Sequence, residues 1–421
     1  MDFKSDFEIN VIMTSAFSLD TPGGIPVVIN SLINYFPSFG DMQYKFFHLT
    51  CDKTYNFAGH QRSDREIFSS EYAQARTYIQ DFAQGKIDKQ SLDLALDDLA
   101  HIVAKELSFL NAQLIHSHTD WYFVSRISEI MDIPHIATLH GMMPSDDSFR
   151  KDGIKAPSNG QMFNFMNANA TYHQCIAISP YVLKEYLKFG LSPSKTTVIK
   201  NPIGYLDDLE TGYEPMRGRL EIPECAKLIC FPQRPSKLGS NWMFSQLKKL
   251  LSINKELYLL FCIGNDSVDN FAYKLFEGVS SRVIVKSFLP HEMFSVYKAS
   301  DVTVLPNPTE PFGIPAYESL YCGTAAVMPN DGNYKDAFGT NMPGVYLFSP
   351  YNEKSFIFNV LSAFDARKKH NICLPQDISN ESNPAYAANK YADVYESALL
   401  YSTKIRQGGL MSYGVSYNSY I

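Results

Sequence analysis

The seven cysteines of this 421-residue chain are odd in number and scattered, and no two stand at C-x-x-C spacing. That argues against a disulfide framework or a cysteine-built zinc site, and most of them read as small core residues. There is no block of lysine and arginine. The 37 basic residues are outweighed by 44 acidic ones, a net charge of −7, so neither a nucleic-acid footprint nor a basic membrane-docking face is expected. Long hydrophobic runs are missing too: a stretch such as "LYLLFCIG" is too short to span a bilayer. The start, "MDFKSDFEIN", lacks the basic and apolar regions of a signal peptide, which leads us to expect a cytoplasmic protein. What remains is an ordinary globular composition, 45% hydrophobic and 19% charged, with length for about two domains.

Short β-rich runs alternate with helical stretches, and they do so twice, which predicts an α/β fold with mostly parallel sheets. The first half has "EINVIM", "YKFFHLT", "LIHSH", "HIATLH", "CIAIS" and "TTVIK"; the second has "KLICFP", "LYLLFCIG", "RVIVKSF", "DVTVLP" and "TAAVMP". No internal repeat links the halves. A polar stretch bearing Gly, Pro and Glu sets the boundary between them near residues 200 to 218. Leu92, Leu96, Leu99, Val103 and Leu107 recur at helical spacing and predict an amphipathic helix over 91 to 107. Residues 142 to 172, rich in Asn, Met and Phe after a strand end, read as a substrate-facing loop region.

The chemistry gathers around "EPFGIPAYE". Pro311 favours an extended Glu310, and Pro315 suits the first turn of a helix, whose unpaired amides would face Phe312, Gly313 and Ile314. Glu318 lies one turn in, and helical side chains lean toward the N-terminus, so both carboxylates can converge on one hydroxyl-rich ligand. Gly23 and Gly24 follow the first strand and open a helix, where missing Cβ atoms let a phosphate approach. Arg234 and Lys237 follow the strand "KLICFP", and two cations at a strand's carboxyl end can meet the negative charge of a ligand. His116 and His118 share a strand face without a third ligand in view, so no metal site is expected.

Two glutamates separated by seven residues in a Glu-x-Phe-Gly context resemble the motif of retaining GT-B glycosyltransferases of family 4. The flanking "SFLPHEMFSVYKASDVTVLP" and "SLYCGTAAVMPN" are similar to that family as well, as are "TPGGIPVVINSLINYF", "ATLHG" and "AISPYVLKEYLKFGLSPSKTTVIKNPI". The resemblance implies an acceptor-binding Rossmann-like domain over 1 to 204, completed by a C-terminal helix at about 384 to 421, and a nucleotide-sugar domain over 205 to 383. It implies that Arg234 and Lys237 face the diphosphate, that Glu310 binds donor-sugar hydroxyls and Glu318 the ribose, and that His140 contacts the donor sugar near the reacting carbon. Gly23 and Gly24 would lie across the cleft from the diphosphate, and Asp120 and Trp121 would line the acceptor side. The family's Arg and Lys stand further apart with Gly directly after the Lys, whereas here Leu238 follows Lys237. The expected substrates are a nucleotide sugar, a UDP-sugar ahead of a GDP- or ADP-sugar, and a sugar-bearing or small-molecule acceptor, with no cofactor or metal. A nucleotide-sugar 2-epimerase of the same fold and a catalytically silent sugar-nucleotide-binding subunit are the alternative readings.

Overall fold

The apolar runs become two parallel sheets. β1 (Phe7–Ser15), β2 (Met42–Thr50), β3 (Glu66–Phe68), β4 (Leu114–Ser117), β5 (His135–Leu139), β6 (Gln174–Ala177) and β7 (Thr196–Val198) lie in the order β3-β2-β1-β4-β5-β6-β7. The second sheet takes β8 (Lys227–Phe231), β9 (Leu257–Phe261), β10 (Val283–Val285), β11 (Val302–Val304), β12 (Ala325–Pro329) and β13 (Val345–Phe348) in the order β10-β9-β8-β11-β12-β13. All neighbouring strands run parallel. The computed structural model describes residues 7–19, 23–36, 42–52, 66–141, 173–188, 190–203, 215–262, 266–369 and 372–407. The expected substrate-facing loop at 142 to 172, positions 204 to 214 of the connecting stretch and residues 408 to 421 lie outside these.

Each sheet reverses its winding beside its first strand, with β4 on the far side of β1 from β2 and β11 on the far side of β8 from β9. Connections that diverge there leave a crevice at the strand ends, the ligand-binding position of open α/β sheets. Strands β4, β5 and β12 are buried along their length, as strands covered on both faces must be. The sequence reading did not include β3 and β13. They read EIF and VYLF, each with a single β-branched residue, unlike the equally short edge strands β7 (TTV) and β10 (VIV), which are β-branched throughout.

The helices that matter for the site are α1 (Gly24–Tyr35), α2 (Ser70–Ala83), α3 (Lys89–Leu107), α4 (Trp121–Met131), α5 (Pro180–Leu187), α6 (Ser240–Ile253), α7 (Met293–Ala299), α8 (Ile314–Tyr321), α9 (Gly332–Phe338) and α10 (Pro384–Gln407). Helix α3 buries all five leucine and valine positions of the expected stripe. It starts two residues earlier than the stripe because the Asp88 side chain accepts from the Ser91 amide at 2.7 Å, a capping bond that apolar spacing does not report. Helix α10 lies on the first sheet. Its Tyr395 is fully buried, stacks on Phe36 at 5.2 Å and shares a 2.7 Å hydrogen bond with His116 Nδ1. Cys175, Cys230, Cys262 and Cys322 are buried, and all seven cysteines are free thiols. No helix among the described residues is long and apolar enough to cross a membrane.

Candidate active site

The two crevices face each other. A Cβ on Gly24, at the start of α1, would lie 3.6 Å from Ile314 Cδ1 at the start of α8, so helix N-termini from the two halves meet. Gly23 and Gly313 cap these helices without side-chain hydrogen bonds, leaving the first-turn amides to a ligand or water. Gly313 has φ +90°, and a Cβ there would come 2.3 Å from Tyr334 Cε1, so this turn requires glycine. Phe312 is buried and stacks on Tyr317 at 4.6 Å; its side chain packs the loop into the core, and its carbonyl accepts from Asn333 Nδ2 at 2.8 Å.

The loop between β8 and α6 brings the cations. Gly239, which caps α6 at φ +85°, sits so close to the loop after β11 that a Cβ would be 2.2 Å from the Pro306 carbonyl oxygen. The side chain of Leu238, the residue that departs from the family pattern, is buried, and Lys237 turns toward Glu310 with Nζ 3.3 Å from Oε2. Arg234 is exposed and makes no side-chain hydrogen bond or ion pair with the described residues. The two cations therefore differ: one is already committed to a carboxylate and the other is available.

Glu310 is buried, and three donors converge on its Oε2: Asn307 Nδ2 at 2.9 Å, Gln233 Nε2 at 3.3 Å and Lys237 Nζ at 3.3 Å. Its Oε1 has no partner among the described residues and remains an acceptor for a hydroxyl. Glu318, also buried, accepts from the Tyr297 hydroxyl of α7 at 2.8 Å. Burial pushes its carboxyl up to about 7, with the phenol pulling the other way. Because the folded value stands above the ordinary value of 4.5, the folded chain holds the proton more tightly than the unfolded one, and stability falls as pH rises from about 4.5 to about 7. Glu318→Gln removes that cost while keeping an acceptor for Tyr297. Its stability against thermal unfolding is expected to exceed wild type at pH 8, by on the order of 2 kcal/mol, and the gain to vanish near pH 4. An equal difference at both pH values would show that Glu318 does not titrate in this range.

With both halves of this cleft in place, comparison with known sequences is direct. A family described as "Glycosyltransferase Family 4" matches residues 94–204, and one described as "Glycosyl transferases group 1" matches residues 217–374. Together they take in β5 with His140 and the loop and helix that carry Glu310 and Glu318, while the Gly23–Gly24 helix start lies before the first match. The chain is a glycosyltransferase of the GT-B, family 4 type. An uncharacterized glycosyltransferase of Methanocaldococcus jannaschii is 25% identical over 279 residues, 62% of this chain and 69% of that one. A D-inositol 3-phosphate glycosyltransferase of Streptosporangium roseum is 25% identical over 55% of this chain and 57% of its own length, so the match spans little more than half of that relative. The crystal structure of a glycosyltransferase from Rickettsia africae superposes with a TM-score of 0.68 at 14% identity, covering 94% of this chain and 99% of that chain, a likeness of fold.

In this glycosyltransferase the remaining candidates belong to the first half. His140 follows β5, is partly buried and shares a 2.7 Å hydrogen bond through Nε2 with His118 Nδ1. Burial pushes it down to about 3, so it is a neutral imidazole at physiological pH. His116 in β4 and His118 just past its end have rings 4.2 Å apart, but both His116 nitrogens are taken, by Tyr395 and by Thr138 Oγ1 at 2.7 Å. Among the described residues no group of three or more His, Cys, Asp or Glu is placed to hold a metal ion. Asp120 caps α4 in the left-handed region at φ 52° and is held by the Tyr72 hydroxyl at 3.1 Å, Thr119 Oγ1 at 2.9 Å and Arg76 Nε at 3.2 Å. Trp121 is buried in the core between the halves.

The sequence reading did not identify Gln233, Asn307 and Tyr297, which hold the two glutamates. Tyr297 lies inside the family-like block before Glu310, but its partner stands 21 residues later, and nothing in a linear pattern joins them.

Proposed function

We propose that this chain is a retaining hexosyltransferase that takes its sugar from a nucleoside diphosphate donor, a UDP-sugar ahead of GDP- or ADP-sugars, and delivers it to an acceptor hydroxyl in glycan, glycoconjugate or glycosylated-metabolite synthesis. The observation that carries this reading is the opposition of the Gly23–Gly24 and Gly313–Ile314 helix starts beside an available Arg234 and a buried Glu310 with one free oxygen. A diphosphate spans the helix starts, where amides and Arg234 meet its charge, and the sugar's hydroxyls reach Glu310. The bond between the anomeric carbon and the phosphate oxygen breaks, the acceptor oxygen bonds to that carbon on the same face, and the departing phosphate takes the acceptor's proton. Charge develops on that phosphate in the transition state, so fixed donors there lower the barrier rather than only binding the ground state.

Lys237 serves mainly to orient Glu310, given the contact between them, and Arg234 compensates the diphosphate. Glu318, with Tyr297 behind it, accepts from the ribose hydroxyls. His140 presents a neutral ring near the sugar. With cationic side chains in that role, no divalent ion is required by this reading.

The test is a screen of labelled UDP-, GDP- and ADP-hexoses with candidate acceptors, in EDTA and in Mg²⁺. Transfer with retained anomeric configuration and equal rates in both media is expected. Conversion of the donor without an acceptor points to the epimerase, and binding without turnover to the silent subunit. Activity lost in EDTA and restored by Mg²⁺ would overturn metal independence.

A further inference from the structure

We infer that Ser179 is a positioning residue that makes the placement of Glu310 depend on closure of the two halves, an inference that rests on the function proposed above. Ser179 ends the turn after β6 and caps α5, its Oγ accepting from the Val182 amide at 3.1 Å. The same Oγ donates to the Pro311 carbonyl oxygen, in the other half, at 2.7 Å. A serine hydroxyl carries a single proton, and that of Ser179 is committed across the cleft. Ser179 is only 1% exposed, so water does not reach the site to take over either bond.

What Pro311 is part of makes this contact more than a point of packing. Three successive carbonyls of the Glu310 loop each receive a donor. The Asn333 amide of α9 donates to the Glu310 oxygen at 3.0 Å, and Asn333 Nδ2 donates to the Phe312 oxygen at 2.8 Å. The middle one, Pro311, is met by Ser179. Two of the three anchors come from the donor half itself and persist in any arrangement. The third exists only when the halves are together, as the approach of Gly24 to Ile314 shows them to be. Helices α5 and α9 pack against each other at this seam. Separation of the halves gives the Pro311 carbonyl over to water and leaves the loop that carries Glu310 short of one fixed anchor. Binding of the sugar is thereby matched to the state in which the acceptor side is in place.

Two substitutions separate the tie from the helix cap. Ser179→Gly removes the donor, yet glycine at an N-cap costs a helix only a few tenths of a kcal/mol relative to serine. Ser179→Thr keeps a hydroxyl able to make both bonds. Ser179→Gly is expected to melt close to wild type, to bind nucleoside diphosphate within about threefold of wild type, and to show a larger unliganded radius of gyration by small-angle X-ray scattering. Its turnover of the donor found in the screen should fall by roughly three- to tenfold, the scale of one hydrogen bond, with Ser179→Thr restoring it. Wild-type turnover in Ser179→Gly, or an unchanged radius of gyration, overturns the inference. If the wild-type chain turns over no donor at all, the functional reading fails alone, and the scattering comparison, which needs no substrate, still decides whether Ser179 ties the halves.

Discussion

Arg234→Ala is expected to lower turnover of the sugar donor by roughly 10²–10³-fold, the range seen when one preorganised donor to a developing charge is lost. The side chain is exposed and bound to none of the described residues, so its removal breaks no internal contact and leaves the melting temperature near wild type. That asymmetry separates it from Lys237, whose ammonium group is already paired with Glu310. Lys237→Ala would free Glu310 Oε2 of one donor and disturb sugar binding as well as charge, so its kinetic signature should be mixed. Steady-state kinetics on the purified, folded variants distinguish the two. Wild-type turnover in Arg234→Ala would remove it from the mechanism and return the cation role to Lys237 alone.

Glu310→Ala should cost about 100-fold in turnover of the intact donor, at the lower end of the same range, while nucleoside diphosphate binds as to wild type. Glu318→Ala should instead weaken the free nucleoside diphosphate, because the ribose stays when the sugar has gone. The separate surroundings of the two carboxylates motivate this split: Glu310 is anchored by Gln233, Lys237 and Asn307 from the loop side, Glu318 by Tyr297 of α7. Ribose hydroxyls donating to Glu318 favour its ionised form, so nucleotide affinity in the wild type should also rise as pH passes through about 7. Calorimetry with donor and with nucleoside diphosphate decides the matter: equal losses for both ligands in both variants would overturn the assignment.

How much of this was legible in the chain itself differs between elements and site. The parallel sheets followed from apolar runs alternating with helical spacing, because burial on both faces writes itself into every residue of a strand such as β5 or β12. The α3 stripe was equally plain. Strands β3 and β13 were not, since EIF and VYLF lack the run of β-branched residues that marked the equally short edge strands β7 and β10, and the start of α3 depended on a cap at Asp88 rather than on apolar spacing. In the site, the Glu310 and Glu318 spacing, the Gly23–Gly24 pair and the two cations were visible because each is a local feature: a turn, a helix start, a strand end.

Tertiary structure alone decided what those groups do to one another. That Lys237 is spent on Glu310 while Arg234 stays available depends on packing between the loops after β8 and β11, which Gly239 permits by lacking a Cβ. That Glu318 holds its proton up to about 7 depends on its burial, 7% exposed beside Tyr297. That Ser179 reaches Pro311 depends on two sheets meeting across 132 residues of chain. The sequence by itself determined the class of fold and the types of side chain at each strand end, because backbone periodicity and turn chemistry act over a few residues. Charge, protonation and the cross-cleft bond were left to the fold, because desolvation and hydrogen bonding act over a few ångströms between residues far apart in sequence.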